Sequence, residues 1–565
     1  MMQRSLSRIR PCLVFILGGA GLVCALGSVA SETTAAESAG ELPASALVAL
    51  GQRIYRDGVL PGGEPLRGAA RPGIFRTGAD AACAACHRRS GYGQTEGPIA
   101  IRPITSEDLF QNQPLVAATP RIAKQLGKAP RPPYDDASLA RAIRQGVDVN
   151  GRLFSENMPR YELSDQDSSA LIAYLKTLAA KAEPAVSDTE IHLATVIQPN
   201  VPEQKRQAML DVLNAFLKDK NAGTRSDEKR RQVGTMRMQR AYRRWNVHVW
   251  ELNGPADTWP AQLEAYYREQ PVFAIISGLG ESDWTPIQTF SERFEVPCVF
   301  PQVDLPGAGS NHYYTLYLSR GVLLEADVLA RYFRDAGAPR NIIQVFRRDT
   351  HGAVAADELR AALPNAAASL SDEILDGPAD AAFWQQLARK QQDHEHAALV
   401  LWLNAADLAG ASTMLKERDP ASPVFLSSQL LGGVADAPQI EPMLTAGANL
   451  LTVFPWDSPL ARDKAHHRTT IWLKHKGIGI VDGPVQTDTF FAISIVGDVL
   501  AHILDSFSRE YFIERVEHAV QQSLVPSSFP HVSLGPDQRF AAKGSYVVRL
   551  DPQTGYRAVS NWIVP

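Results

Sequence analysis

Cysteine is scarce for a chain of this length, 5 in 565 residues. Cys12 and Cys24 lie in an N-terminal apolar run, Cys83 and Cys86 share one short motif, and Cys298 stands alone. A mature chain of this kind has no disulfide framework and must rest on ordinary apolar cores. An excess of either charge is missing too. Lys and Arg total 57 and Asp and Glu 61, a net charge of -4, so neither a nucleic-acid partner nor an anionic membrane surface is implied. No HExxH pair, GxSxG elbow or phosphate-binding loop occurs, and His351, His466 and His467 read as structural or solvated.

The N-terminus carries an address. Arg4, Arg8 and Arg10 precede the apolar run Cys12 to Gly27, and Ser28-Val29-Ala30 reads as a small-residue cleavage site. Residues 1–30 are thus expected to be a signal peptide, with export to the periplasm and no membrane span after cleavage. Removing 30 of 565 residues leaves 535, too many for one core.

Cys83-Ala84-Ala85-Cys86-His87 has the CxxCH spacing of c-type haem attachment. Two thiols three positions apart can add to the two vinyl groups of one porphyrin, and the following histidine is then held beneath the iron. A disulfide across a tight loop and half of a zinc site are the alternatives. No second CxxC or Cys-His pair completes the zinc site, which favours one covalent haem c. Met158, in Glu156-Asn157-Met158-Pro159-Arg160, is the candidate sixth ligand, because a soft neutral thioether suits iron. His/Met ligation raises the potential and closes the iron to other ligands, which fits electron transfer. A peroxidase needs an open iron and usually a second haem, so it ranks last. Arg88 and Arg89 could serve the propionates, a docking rim or only solvent.

Residues 41–183 read as the first domain. Leu47, Leu50, Gly51, Ile54 and Tyr55 share one face of an opening helix, and Ser164 with Asp167 caps a closing helix whose stripe is Leu171, Tyr174, Leu175 and Leu178. This region resembles a class I cytochrome c domain. The resemblance implies an all-α fold, Gly51 and Tyr55 packed on Tyr174 and Leu175, and a proline carbonyl bonded to the haem histidine, with Pro98 the candidate and Pro103 its competitor. It also implies a redox partner protein.

A linker at 184–189 leads to 190–565, where short apolar strands alternate with helices: Ile191–Ile197, Val247–Leu252, Val272–Ser277, Val299–Phe300, Ile342–Phe346, Ala398–Leu403, Val424–Leu426 and Leu450–Phe454. Runs apolar on both faces suit a parallel sheet covered on both sides. Helices are expected over Gln207–Leu217, Leu318–Ala336 and Ala405–Lys416, the second matching a long helix Tyr314–Phe333 in the resemblance that follows. The region resembles a type I periplasmic binding protein of the branched-chain amino-acid class, on this strand order, Ser277-Gly278-Leu279-Gly280, Val296–Pro301 and the C-terminal hairpin. That implies an α/β fold of two doubly wound lobes with a ligand between them. By that resemblance the candidate contacts are Ser277, Gly278 and Gln302 on the first lobe and Asp349, Asn404, Ser427 and Ser428 on the second, with Trp456 a hinge or wall. An amino acid or carboxylate is the implied ligand class.

Two functions follow, neither of them an enzyme's. One is a periplasmic one-electron carrier fused to a ligand-binding domain. The other is an electron-accepting, docking subunit of a periplasmic, quinoprotein-type dehydrogenase with no free small ligand. A terminal oxidase pathway is a further possible destination for the electron.

Overall fold

The first helix, α1 (Ala44–Asp57), owes its position to a missing side chain. A Cβ on Gly51 would lie 1.9 Å from the Ala170 carbonyl oxygen, so only glycine lets α1 cross the closing helix at backbone contact. Tyr55, one turn later, packs on Tyr174 with ring centroids 5.2 Å apart. These are the two contacts the family resemblance implies.

The computed structural model describes residues 43–565 except 72, 97–98, 112–130, 181–182, 232–242, 310–311, 336–338, 364–367, 394–396, 413–421, 434–439, 457–458, 504–505, 537 and 552–554. The signal peptide assigned to residues 1–30 and the candidate Pro98 lie outside the described residues.

After α1 come β1 (Arg67–Arg71), β2 (Ile74–Thr77) and the short α2 (Cys83–His87). Helix α3 (Asp136–Gln145) is opened by an Asp135–Ser138 capping box and closed by Gly146 in the left-handed region. β3 (Arg160–Tyr161) precedes α4 (Asp165–Thr177), which starts at the expected Ser164–Asp167 capping box. β2, β1 and β3 form a small antiparallel sheet, which corrects the all-α expectation for 41–183. These are extended connections whose backbone groups need partners beside the buried Leu66 and Tyr161. Ladders this short leave no period for sequence reading to find.

The segment expected to be a linker is tied down. Ala185 is buried in the next core, and Val186 bridges to Ile191. The Ser187 carbonyl accepts from Arg243 Nε at 2.6 Å.

Next, β4 (Glu190–Ile197), α5 (Glu203–Arg231), β5 (Arg244–Glu251), α6 (Trp259–Glu269), β6 (Ile275–Ile276), β7 (Leu279–Gly280), α7 (Thr285–Phe294), β8 (Cys298–Val299), β9 (Gln302–Val303) and β10 (Thr315–Leu316) follow in turn. They build a parallel sheet in the order β9-β7-β4-β6-β8-β10, with β5 also beside β4. A second sheet is laid down by α8 (Val322–Arg334), β11 (Asn341–Phe346), α9 (His351–Ala362), β12 (Ser369–Ile374), α10 (Ala381–Asp393), β13 (Ala398–Trp402), β14 (Val424–Leu426) and β15 (Leu450–Phe454). The chain then returns with α11 (Pro459–His475), α12 (Gly483–Ile503) and α13 (Arg509–Gln522), the last two packing on the first sheet. It ends with β16 (Tyr546–Asp551) and β17 (Gly555–Ala558) on the second sheet, in the order β12-β11-β13-β14-β15-β16-β17. Only the last two are antiparallel to their neighbours, as the expected C-terminal hairpin requires. Apolar clusters cover both faces of each sheet, the physical reason its strands read as continuous apolar runs.

Two expectations change. The helix expected over Tyr314–Phe333 begins only at Val322; Thr315–Leu316 is a strand beside Cys298–Val299, and Gly321 at φ 58° turns the chain. Unbroken apolar character hid the change of period. In Ala405–Lys416, residues 405–410 are turn, and 413–416 lie outside the described residues.

Candidate haem site

Helix α2 places Cys83 and Cys86 one turn apart with both thiols unpaired. Burial pushes the Cys83 thiol up to about 12, so with nothing bound it is a protonated thiol. His87 is buried, and its Nδ1 lies 2.9 Å from the Arg102 carbonyl oxygen. A carbonyl can only accept, so Nδ1 carries the proton and Nε2 keeps its lone pair. Burial also holds the imidazole below its ordinary value, that is, neutral. The bonding carbonyl belongs to Arg102, the residue before Pro103, rather than to either expected proline.

Met158 is half-buried against the core that holds Cys83, Tyr55 and Leu171. Its loop is gathered by one guanidinium. Arg160 donates to the carbonyls of Phe154 at 3.0 Å and Ser155 at 3.3 Å, and also to that of Met158. Gly146 makes room for it, since a Cβ there would sit 1.9 Å from Arg160 Nε. Two free thiols, an imidazole of fixed tautomer and a braced thioether around one apolar core are a donor set that fits a haem.

The loop after His87 leaves this core and meets α13. Arg88, at φ 64°, gives its carbonyl to Tyr55 Oη–H at 2.8 Å and its guanidinium to Glu517. Ser90 donates from N to Glu514 Oε1 at 2.9 Å and from Oγ to Oε2 at 2.5 Å. Tyr92 stacks on Tyr511, and the Arg89 guanidinium lies 4.1 Å over the Tyr313 ring. Arg88 and Arg89 thus sit in an internal seam rather than on a docking rim. Arg56 reaches Glu510 at 3.2 Å.

The cleft candidates lie in two groups. Ser277 is buried at φ 55°, and Gln302 Nε2 donates to its Oγ at 3.2 Å and to Thr489 Oγ1 at 2.9 Å. Gly278, at φ 126°, lies beneath Trp284 and the Val196 carbonyl. Ser427 and Ser428 donate to the buried Glu325, Ser427 at 2.5 Å. Asp349 is exposed on a turn, and Asn404 Oδ1 accepts from the Asp407 N–H at 3.0 Å. Trp456 packs its ring on Phe454 and Phe529. Gln429 Nε2, next to Ser428, donates to Asp304 Oδ1 at 2.6 Å, two residues beyond Gln302.

Residues 76–179 match the family model for cytochrome c. The cytochrome c domain so defined takes in Cys83, Cys86, His87, Met158 and α4, and it implies a haem cofactor. Comparison with curated proteins finds no match. Among solved structures, the chain is similar to a fatty acid ABC transporter substrate-binding protein from Thermomonospora curvata, at 13% identity and a TM-score of 0.45, covering 68% of this chain and 95% of that one. It is similar to a leucine-binding protein from Thermotoga maritima, at 12% and 0.45, covering 66% and 99%. A branched-chain amino-acid ABC transporter protein from Thermus thermophilus, solved with bound valine, gives 10% and 0.45, covering 67% and 98%.

Sequence reasoning missed the groups that support the cytochrome c domain. The acceptor on Arg102 is backbone and carries no side-chain signal. Arg160 looked like any loop arginine. Glu510, Glu514 and Glu517 are spaced four and three apart, one face of a helix, but such a stripe reads as solvated until something packs on it.

Proposed function

We propose that the chain is a periplasmic c-type cytochrome carrying one electron on a single haem attached through Cys83 and Cys86. His87 and Met158 would ligate its iron, and the second domain takes a small ligand such as an amino acid or carboxylate. The observation that carries this reading is α2, where two unpaired thiols stand beside an imidazole whose free nitrogen is fixed by the Arg102 carbonyl. A bound haem supplies the one-electron couple. The chain's own residues do the rest. Cys83 and Cys86 anchor the group, Arg102 orients the His87 ring, Arg160 holds the Met158 loop, and the core around Leu171 keeps water out. His87 and Met158 together would hold the iron and keep small molecules from it, which supports a carrier and binding protein rather than an enzyme. Its partner is a redox protein, such as a periplasmic dehydrogenase or a component of a terminal oxidase pathway.

Two substitutions test this. In Cys86→Ser, haem bound through two thioethers should fall sharply when covalent mass is measured; an undiminished yield would remove the basis of the reading. In Met158→Ala, the midpoint potential should fall and the iron should bind added ligands, and an unchanged spectrum would exclude this thioether.

A second reading of the second domain, as the docking part of a dehydrogenase subunit with no free ligand, is favoured by one observation. Ser277, Gln302, Ser427 and Ser428 already spend hydrogen bonds inside the protein. Thermal unfolding of the full chain against amino acids, small carboxylates and alcohols separates the two. A ligand at a hundred times its Kd adds about 2.7 kcal/mol, whereas silence across the panel supports docking.

A further inference from the structure

The loop that follows the haem histidine is anchored outside the cytochrome c domain. Its contacts run to one face of α13, where Glu510, Glu514 and Glu517 line up. Glu514 takes both polar hydrogens of Ser90, a residue only 1% exposed. Glu517 pairs with Arg88 and also accepts from Arg539 at 2.6 Å, with side-chain exposures of 12% for Arg88, 4% for Glu517 and 5% for Arg539. The opposite face of α13 gives Phe512, Ile513, Val516 and Val520 to the core of the first lobe. The helix therefore cannot shift without that core, and the loop cannot shift without the helix. Within the cytochrome c domain, His87 is fixed at the ring by Arg102, while the backbone just beyond it is fixed by Tyr55 on the Arg88 carbonyl. The Gly93 N–H also bonds the His87 carbonyl at 2.9 Å and the Ile104 N–H that of Gly91 at 2.7 Å, while the restraint at Ser90 comes from the first lobe.

We infer that the first lobe is a working part of the haem site, with Glu514 a positioning residue that holds the His87 loop through Ser90. The inference rests on the reading that a haem is held by Cys83, Cys86 and His87. Glu514 touches neither cofactor nor ligand atoms, and acts through the backbone that carries the histidine.

The test uses the full, haem-loaded chain and three variants. Glu514→Ala removes both acceptors, Glu514→Gln keeps a hydrogen-bonding side chain without its charge, and Ser90→Ala removes one of the two bonds. The readouts are haem per chain, midpoint potential and the low-spin electron paramagnetic resonance of the oxidised haem, which reports the orientation of the axial imidazole. Glu514→Ala should change the reduction equilibrium constant by about threefold or more, the size of one lost hydrogen bond, and should move the resonance. Glu514→Gln should return both towards the parent values. Ser90→Ala should move them less than Glu514→Ala, and it decides the question if the alanine variant does not fold. Parent values in Glu514→Ala and Ser90→Ala would make α13 a mere contact between domains and overturn the inference. Equal shifts in the Ala and Gln variants would overturn it as well, since charge and not position would then be the cause. If the parent chain carries no haem, it is the underlying reading that has failed.

Discussion

Two regions of this molecule bury carboxylates, and they settle them differently. In the seam between the cytochrome c domain and the first lobe, Glu517 lies between the guanidiniums of Arg88 and Arg539. Inside the second lobe, Glu325 in the first turn of α8 meets Ser427, Ser428 and the backbone N–H of Gln429. Burial pushes Glu325 up to about 7, since hydroxyls and an amide offset less of the lost hydration than a cation does. The seam is charge-paired at Glu517 with an aromatic stack beside it, and only its Glu514 is held by a hydroxyl and an amide as Glu325 is. The Glu325 pocket has no cation among its hydrogen-bond partners, and from it the Gln429–Asp304 bond leads to the first lobe.

The comparison can be broken most readily at the seam. Arg88→Ala leaves Glu517 buried with one guanidinium fewer and should lower stability by about 2–3 kcal/mol, read from denaturant unfolding of the full chain. A loss no larger than that of an exposed arginine would mean that the seam is not a joint. At Glu325, the effect is one of pH. Glu325 holds its proton more tightly when folded than at its ordinary 4.5, so its contribution is complete below about 4.5 and is lost as pH rises to about 7. Glu325→Gln should remove up to about 1.4 kcal/mol per pH unit of that decline. Glu514, also pushed up to about 7, and Asp488, pushed up to about 6, keep their own shares. The thermal midpoint should therefore fall less between pH 5 and 7 in the variant than in the parent, and an identical fall would place the titration elsewhere. Gln429→Ala should be mildest, about 1 kcal/mol or less. A cost matching that of Arg88→Ala would erase the difference between the two regions.

How much could be read in advance follows the same division. The proposed haem site lies in contiguous stretches, CxxCH on one turn of helix and Met158 ahead of a capped helix, so residue type and spacing carry it. The strands Val424–Leu426 and Leu450–Phe454 were legible to the residue because each is an apolar run with both faces covered. The strand expected over Val272–Ser277 is Ile275–Ile276, and it stops there because Ser277 and Gly278 take positive φ, which an apolar run does not announce. Ser427 and Ser428 read as strand-end ligand contacts, but the fold brings Glu325 to them from a hundred residues away.

The sequence by itself determined the chemistry of the first domain, because attaching and ligating a haem needs particular side chains at short fixed intervals. It also determined that two sheets would form, because buried parallel strands must be apolar on both faces. Only the tertiary structure decided which polar groups meet. It brought Arg102 under His87, α13 to Ser90 and Glu325 to Ser427. Each of these pairs joins residues that have no local reason to be near each other, and in each a buried polar atom needs a partner that chain folding alone supplies.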